Sequence, residues 1–420
     1  MSRKLTPSVS CPDSRLPAQS QVALDWSKQR AQNEAKRSKM ATKKARMLRD
    51  MKKVILLELA DDTITEIFRQ NVAVMTMIAA TVTKPPKEVD PSVHVQNYAE
   101  ETVPRYTPWQ FHQHFRMFAD TFEELCEWIA PHLQPSRSIS VEKKMLATIW
   151  LVGNLESFRS VADRFGINKG SLHRIVLSVC RALTAIRGDV ISWPSHAQLQ
   201  DIANDFQELR GFPGIVGAVD GTYIEIPGTT DEHRAAYICR KGFPAMHLQV
   251  VCTADLLFTD VDTGNAGSVH DSRVFRTSDL QTKLESEEGR LPAGYHLLGD
   301  SAYGQTEYLL VPFRDNGHLS PVERNYNNLH SSTRVQVERA IGLLKGKFRR
   351  LKKLDMVSVR DIPFIIFACC VLHNFIILRK GVDADDIELE VDVAVAEGER
   401  DAAVNLTAAE KRMSVAELLM

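Results

Sequence analysis

The chain has 420 residues, and its 52 lysine and arginine residues nearly balance its 53 aspartate and glutamate residues, for a formal net charge of −1 at pH 7. A content of 44% hydrophobic and 25% charged residues is that of an ordinary globular protein, which excludes wholesale disorder and a collagen-like chain. Seven cysteines, an odd number with no CxxC pair, argue against a disulfide framework and a zinc ribbon and favour a reducing compartment.

The near-zero net charge conceals two oppositely charged ends. Lys28–Lys53 holds eleven basic and two acidic residues, a net charge of +9, whereas Gly381–Asp401 holds nine acidic residues and one basic residue, a net charge of −8. Blocks of like charge are often interaction tails, so the basic block is interpreted as a nuclear-import signal or a sequence-independent DNA arm. A plain solvated helix face is the alternative. The expected location is the nucleus.

Length and composition predict several segments rather than one domain. In order, they are a disordered segment (1–25), a basic then apolar helical arm (26–82), a Pro-containing linker (83–106), a helical domain (107–205), an α/β domain (206–380) and an acidic tail (381–420). The N-terminal residues show no secretory signal pattern. The apolar run Ile362–Leu378 contains His373 and Asn374 and is marginal in length for a membrane span. It is therefore predicted to be a buried core helix, and no membrane partner is expected.

In the helical domain, apolar residues recur at helical spacing from Phe111 to Leu133 and from Val141 to Ile186. Within the second group, a helix, a break at Gly166 and a further helix give the rhythm of a helix-turn-helix. The second helix of that motif would present Lys169 and Arg174 to DNA. A helical hairpin that only packs a core explains the same pattern, and both interpretations remain open at this point.

After residue 205, short runs rich in β-branched residues replace the helical pattern. They predict strands over Ile215–Ile226, Met246–Thr253, Leu256–Val261, His296–Leu298 and Leu309–Val311, and helices over Ser268–Leu284 and from Ser332 onward. This order of elements predicts an α/β fold in which helices flank a mixed sheet.

Two aspartates, Asp220 and Asp300, each come directly after an apolar strand with no obvious cation nearby. A buried unpaired carboxylate is costly, so each is expected to find a partner, shift its pKa or bind a metal. Taken singly, each is more often a turn or capping residue after a strand than part of a functional site. A further acid, Asp271, fits the pattern Ser268-x-x-Asp271 and is predicted to cap a helix, with a supporting role at a site as the alternative.

A third acid of interest lies on the helix that follows. Its buried stripe is predicted to consist of Val337, Ile341, Leu344, Phe348 and Leu351. Glu338 lies one residue round from that stripe, on the same row as Arg334, Lys345 and Arg349. An edge that combines a carboxylate with cations suits a metal-bound phosphate. Pairing of Glu338 with Arg334 or Lys345 on a solvated helix is the alternative.

Five motifs in this order, VGAVDGTYIEI, GSVHDSRVF, LLGDSAYG, VERAIGLLKGKFRRL and ACCVLHNF, resemble the DDE endonuclease domain of PIF/Harbinger transposases and of host nucleases derived from them. The preceding segments FRMFADTFEEL and SFRSVADRFGINKGSLHRIV look like the section before the catalytic core in that family. The resemblance covers about two thirds of the chain, Thr107–Leu378, and departs at Gly304, where a proline is frequent. By motif, the family's catalytic triad falls on Asp220, Asp300 and Glu338.

The resemblance implies an RNase H-like fold and a metal-dependent DNA endonuclease. Two Mg²⁺ or Mn²⁺ ions would be held by Asp220 as the bridging ligand, Asp300 on one ion and Glu338 on the other. Water as the attacking group would give a DNA nick, and a DNA 3′-hydroxyl would give strand transfer. The expected partners are DNA, a Myb/SANT-like protein and further copies of the chain. The residues expected to contact DNA are Lys169, Arg174, Lys345 and Arg349.

A second hypothesis comes from a different functional class. The helix-turn-helix-like segment, the basic arm and the acidic tail are also compatible with a domesticated protein that keeps the fold, binds DNA or a partner, and has lost turnover. The three acids favour the enzyme, but acids can persist after activity is lost.

Overall fold

The computed structural model describes residues 94–136, 138–228, 234–287, 290–354, 358–382 and 406–420, all within one compact unit, Val93–Met420. The predicted disordered segment, the basic arm and most of the acidic tail lie outside the described residues. So does the first part of the predicted linker, 83–93, whereas the rest of it is described and ends in folded structure. Tyr98–Thr102 and Val103–Arg105 form two short helical turns, and Tyr98 is buried with its ring 5.3 Å from that of Phe165.

Helices make up the region that precedes the sheet. They are α1 (Pro108–Phe115), α2 (Ala119–Ile129), α3 (Val141–Gly153), α4 (Phe158–Arg164), α5 (Lys169–Ala185) and α6 (Leu199–Arg210). Short polar side chains start several of them, as the free amides of a first turn require. Thr107 and Gln110 form a reciprocal capping box at α1, and Ser140 caps α3.

The helix-turn-helix-like segment forms two helices with the predicted break. Ser157 caps α4, Asn168 caps α5, and Gly166 between them has a φ of +61°, a left-handed conformation that glycine adopts at little cost. The inner face of α5 is buried, whereas Lys169 and Arg174 are exposed. The segment thus packs a core on one side and presents cations on the other.

The sheet has five strands in the order β3-β2-β1-β4-β5. The strands are β1 (Ile215–Glu225), β2 (Ala245–Cys252), β3 (Phe258–Ala266), β4 (His296–Leu298) and β5 (Leu309–Leu310). β1 pairs antiparallel with β2, and β2 pairs antiparallel with β3, whereas β4 runs parallel to β1 and β5 runs parallel to β4. The predicted mixed α/β architecture is therefore confirmed.

Helices cover both faces of this sheet. The remaining ones are α7 (Arg234–Tyr237), α8 (Asp271–Thr277), α9 (Asp279–Glu285), α10 (Pro321–Lys347), α11 (Ile362–Lys380) and α12 (Leu406–Leu418). Ala218 and Leu248 face a core shared with the preceding helices, α10 and α11, whereas Val219 and Val251 face α8 and α9. Alternate residues of each central strand thus enter different cores, as a strand covered on both sides requires.

The long helix α10 begins earlier than predicted. Ser320 and Glu323 form a capping box and Pro321 occupies the first turn, so the helix starts eleven residues before Ser332. The stripe predicted from periodicity is confirmed: Val337, Ile341, Leu344, Phe348 and Leu351 are all buried, although Leu351 lies in a short 3₁₀ turn after the helix.

Helix α11 is the predicted core helix. Val359–Lys380 is long and apolar enough to cross a membrane, but 72% of its most apolar window is buried inside the protein. It packs against α5 and β3, and Asn374 ties it to the sheet, because its side-chain oxygen accepts from the Phe258 amide at 2.9 Å and its nitrogen donates to the Phe258 carbonyl at 2.7 Å. The two polar residues that interrupt the apolar run are therefore structural.

The end of the predicted acidic tail is a docked helix. In α12, Lys411 donates to the Tyr295 and Glu307 carbonyls at 2.8 and 2.6 Å. Arg412 lies over the ring of Phe313, with its guanidinium carbon 4.1 Å from the ring centre.

Candidate active site

Asp220 and Asp300 lie side by side at one end of the sheet. The parallel pairing of β1 with β4 ends at the Ala218–Leu298 pair, and each aspartate is two residues beyond it. Because parallel strands keep a common register, the two side chains leave the sheet at the same level. Asp220 itself is not at a strand end, as the sequence suggested, since β1 continues to Glu225 through its pairing with β2.

Local hydrogen bonds fix the direction of both carboxylates. Asp220 Oδ1 accepts from the Gly221 amide at 2.9 Å. Asp300, in the turn after β4, accepts from the Ala302 amide at 2.9 Å through Oδ1, and its carbonyl accepts from the Tyr303 amide at 3.2 Å. These contacts use one carboxylate oxygen of each aspartate.

Helix α10 carries Glu338, and Arg334 on the same helix joins it to Asp220. The Arg334 guanidinium donates to Asp220 Oδ2 at 3.0 Å and also to Glu338 Oε1, one helical turn along the same face. The side chains of Asp220 and Arg334 are 18% and 19% exposed, whereas Glu338 is 44% exposed. The predicted row on α10 therefore faces the aspartates, and its arginine links two of the three acids.

The electrostatic environment opposes two ionised aspartates here. Burial raises the pKa of Asp220 to about 7; Arg334 opposes that rise and the nearby Asp300 adds to it. Burial also raises the pKa of Asp300. Burial alone would lower the pKa of Arg334, but Asp220 and Glu338 outweigh it and raise that pKa. The site is thus short of positive charge, and Arg334 supplies part of it.

The donor atoms suit a hard divalent cation, although they are not yet gathered around one point. Carboxylate oxygens are the ligands that Mg²⁺ and Mn²⁺ prefer, and like charges at Asp220 and Asp300 favour a cation between them. Among the described residues, however, no three His, Cys, Asp or Glu side chains converge closely enough to hold an ion. Arg334 bonds to Asp220 and Glu338 in this arrangement. The residues fit the ion in chemistry.

The four residues expected to contact DNA lie in different settings. Lys169, Arg174 and Arg349 are exposed. Lys345 is only 5% exposed, and its ammonium donates to Thr222 Oγ1 at 2.9 Å. The structure therefore brings Lys345, but not the cations of α5, to the strand that carries Asp220.

A small basic cavity lies along β1 beyond Asp220. It has a volume of about 150 Å³ and is lined by Thr222, Tyr223, Glu225, Lys241, Phe243, Lys345 and Lys352. Thr222 points to the same side of β1 as Asp220, because alternate residues of a strand share a face. Three of the lining residues are lysines, so the cavity favours an anionic group close to the carboxylates.

A buried pair that the sequence did not predict lies against the other face of β1. The His247 Nε2 and Asp271 Oδ1 atoms are 2.5 Å apart, with His247 1% and Asp271 9% exposed. The prediction that Asp271 forms a Ser268-x-x-Asp271 cap is wrong, because His270 is the N-cap residue of α8 and Asp271 turns inward. The only sequence signal was His247 in the mostly apolar run of β2, and a single histidine cannot identify its partner.

Cys369, Cys370 and His373 show the predicted packing role. All three are buried in α11, and burial lowers the pKa of His373 to about 4, while its Nε2–H donates to the Leu256 carbonyl at 2.8 Å. The six cysteines within the described ranges are all buried and free.

Comparisons with known proteins place this chain in a family. A profile described as DDE superfamily endonuclease matches residues 219–374, which include all three acids, and a domain of unknown function matches residues 96–185. The chain is 33% identical over 256 residues to a rat protein named "Putative nuclease HARBI1", covering 60% of this chain and 71% of the relative.

Other relatives agree. The human protein of the same name is 32% identical over 260 residues, again covering 60% of this chain and 71% of the relative. "Protein ALP1-like" of Arabidopsis thaliana is 25% identical over 301 residues, covering 66% of this chain and 73% of the relative. No solved structure gave a significant match. On the strength of these matches, the chain belongs to the PIF/Harbinger-type DDE transposase family, which includes host nucleases derived from it.

Proposed function

We propose that the protein is a metal-dependent DNA endonuclease of Harbinger transposase type that uses Asp220, Asp300 and Glu338. The observation that carries this proposal is the shared register of Asp220 and Asp300, two residues beyond the same parallel pair, with Glu338 tied to Asp220 through Arg334. The strand order and the helices on both faces of the sheet support an RNase H-like fold for this domain.

The protein's own part in the reaction follows from charge and position. Asp220, Asp300 and Glu338 would hold the ions, with Asp220 shared between them, Asp300 on one and Glu338 on the other. The chemistry that bound Mg²⁺ or Mn²⁺ supplies is activation of the attacking oxygen and stabilisation of the leaving oxygen in an in-line displacement. Arg334 donates to both Asp220 and Glu338 and so places a positive charge between two of the acids. Water as the attacker gives hydrolysis, and a DNA 3′-hydroxyl gives strand transfer.

Lys345 and its cavity extend the site along the DNA backbone. Asp220 and Thr222 lie on the same face of β1, and the Lys345 ammonium donates a hydrogen bond to the Thr222 hydroxyl. Lysines bind the phosphates of the DNA backbone without reading the base sequence. Arg349 and the exposed cations of α5 are then outer contacts to DNA.

Nicking of supercoiled plasmid tests the assignment. The full chain with Mn²⁺ is expected to convert the plasmid to its open circular form, and Asp220→Asn is expected to abolish that conversion. Asp260→Asn is the matched control, since Asp260 is also a carboxyl whose pKa burial raises, to about 6, but its charged neighbours lie outside this site. Equal nicking by the unmodified chain and Asp220→Asn would refute the proposal.

One observation favours a second candidate, a DNA-binding or partner-binding protein without turnover. Arg334 bonds to two of the three acids, and within the described residues no ready-made cluster for an ion is present. This candidate requires salt-dependent DNA binding that survives Asp300→Asn, with no cleavage in Mn²⁺. Loss of DNA binding at low salt would exclude it.

The proposal extends to the setting in which the protein works. A nuclear location is proposed from the basic block at residues 28–53, and fluorescence microscopy of a tagged chain with and without that block tests it. A Myb/SANT-like partner and self-association remain proposals from the family resemblance, and co-purification and light scattering would detect them.

A further inference from the structure

Gly221, the residue after Asp220, has no side chain, and the His247 and Asp271 side chains occupy that space on the opposite side of β1. A Cβ atom at this position would lie 2.5 Å from Asp271 Oδ1 and 2.6 Å from His247 Nε2. Real Cβ atoms do not approach other atoms so closely, so any side chain here would displace the pair. The absence of a side chain thus lets the Asp271 carboxylate approach the backbone that carries Asp220.

The charge of Asp271 reaches the proposed site from that side. Asp271 adds to the rise in the pKa of both Asp220 and Asp300 that burial causes. Burial raises the pKa of Tyr303, and all three aspartates raise it further, with Asp271 acting most strongly among them. Three acidic side chains from different elements therefore act on the same buried phenol.

The polar groups around them are incompletely paired. Gln249, 1% exposed and opposite Gly221 in the ladder between β1 and β2, accepts from the Tyr303 hydroxyl at 3.4 Å through its oxygen. Among the described residues, Gln249 Nε2 and His247 Nδ1 have no hydrogen-bond partner. Buried polar groups without partners are costly and are found where a ligand or ion completes the network.

We propose that Asp271, oriented by His247, is a fourth acidic group of this cation site and increases its affinity for Mg²⁺ or Mn²⁺ from the face of β1 opposite Arg334. The inference rests on the proposed function, because it assigns a further residue to the same site. His247 acts as the positioning residue: its bond to Oδ1 turns the carboxylate toward Gly221 and away from the start of α8. Groups that surround the ligands of a metal typically contribute 10–100-fold to its affinity.

Calorimetric titration of the full chain with Mn²⁺ tests the proposal without relying on cleavage. Asp271→Asn keeps the size of the side chain and removes its charge, and it is expected to weaken Mn²⁺ binding at least tenfold. The rise in melting temperature that Mn²⁺ causes should shrink in parallel. Asp220→Asn is the positive control, and Asp260→Asn, which removes a carboxyl of raised pKa elsewhere on the sheet, should leave the affinity unchanged.

The outcomes separate the two claims. If Asp220→Asn weakens Mn²⁺ binding and Asp271→Asn does not, the fourth acid is overturned while the proposed function stands. If the unmodified chain binds no Mn²⁺, or Asp220→Asn has no effect, both claims fail. Should Asp271→Asn not fold, His247→Leu decides, since it leaves the charge of Asp271 but removes its orienting bond. Several-fold weaker binding is expected there, and unchanged binding overturns the inference.

Discussion

Replacing a proposed catalytic acid should make the metal-free protein more stable. Asp220 is held at the end of the β1–β4 pairing with a pKa of about 7, compared with its ordinary value of 3.8. Asp220→Asn removes a charge that the folded state disfavours, and Arg334 keeps its bond to Glu338. The expected result is a larger free energy of unfolding for the variant in EDTA.

The magnitude follows from the pKa difference. At about 1.36 kcal/mol per pH unit, a pKa raised from 3.8 to about 7 disfavours the folded carboxylate by about 4 kcal/mol. Because the side chain is 18% exposed, solvent reduces this figure, and a gain of about 2–4 kcal/mol is expected at pH 8. Since the folded pKa is raised, the native carboxyl is tolerated while protonated and becomes costly as the pH rises from 4 to 7. The advantage of the variant should therefore be small at pH 4, roughly a third of its full value at pH 5 and full at pH 8.

Urea unfolding of both proteins at pH 5 and pH 8 measures the difference. Asp260→Asn is a useful control, because its pKa of about 6 means that its advantage should already be complete near pH 7. Adding Mn²⁺ should stabilise the unmodified chain and the control but not Asp220→Asn. A variant that is less stable than the unmodified chain at pH 8 would refute the reasoning about buried charge.

Three further predictions concern other parts of the domain. His373, whose pKa is about 4 in the folded state, should contribute stability that is complete above pH 6.5 and is lost as the pH falls toward 4, by up to about 3 kcal/mol. In urea unfolding, His373→Gln should therefore make the free energy of unfolding depend less on pH between pH 7 and 5. An unchanged pH dependence would contradict this. Lys345→Met should weaken DNA binding in fluorescence anisotropy and reduce the salt dependence by about one phosphate contact, whereas an unchanged salt slope would remove this lysine from the DNA path. Gly221→Ala should lower stability by about 1–3 kcal/mol through overpacking against the side chains behind it, and a thermal melt equal to that of the unmodified chain would show that they move aside freely.

Periodicity and strand patterns predicted most of the sheet, because each strand is a short apolar run between turn residues. They failed where polar residues belong to a regular element: β3 extends to Ala266 through a run of Asp, Thr and Asn, and α10 begins with polar turns that lack an apolar rhythm. Capping chemistry at Ser320 was the available signal for the second case. The predicted helix over Ser268–Leu284 is two short helices, divided at Ser278, which caps the second of them.

The site was predictable only in part for a similar reason. Motifs identified three acids, and helical spacing placed Arg334 beside Glu338. Contacts that join distant elements have no local pattern, so the bond from Arg334 to Asp220 and the pairing of His247 with Asp271 emerge only from the fold.

Arg334 and Glu338 lie one turn apart on a helix whose inner face is anchored in the core, so the backbone beneath them is fixed. A change of partner at Arg334 therefore needs only rotation about its own side-chain bonds, while the helix beneath it stays in place. The exposed Glu338 and the more buried Arg334 would then differ in how freely they rotate, although both lie on the same fixed backbone.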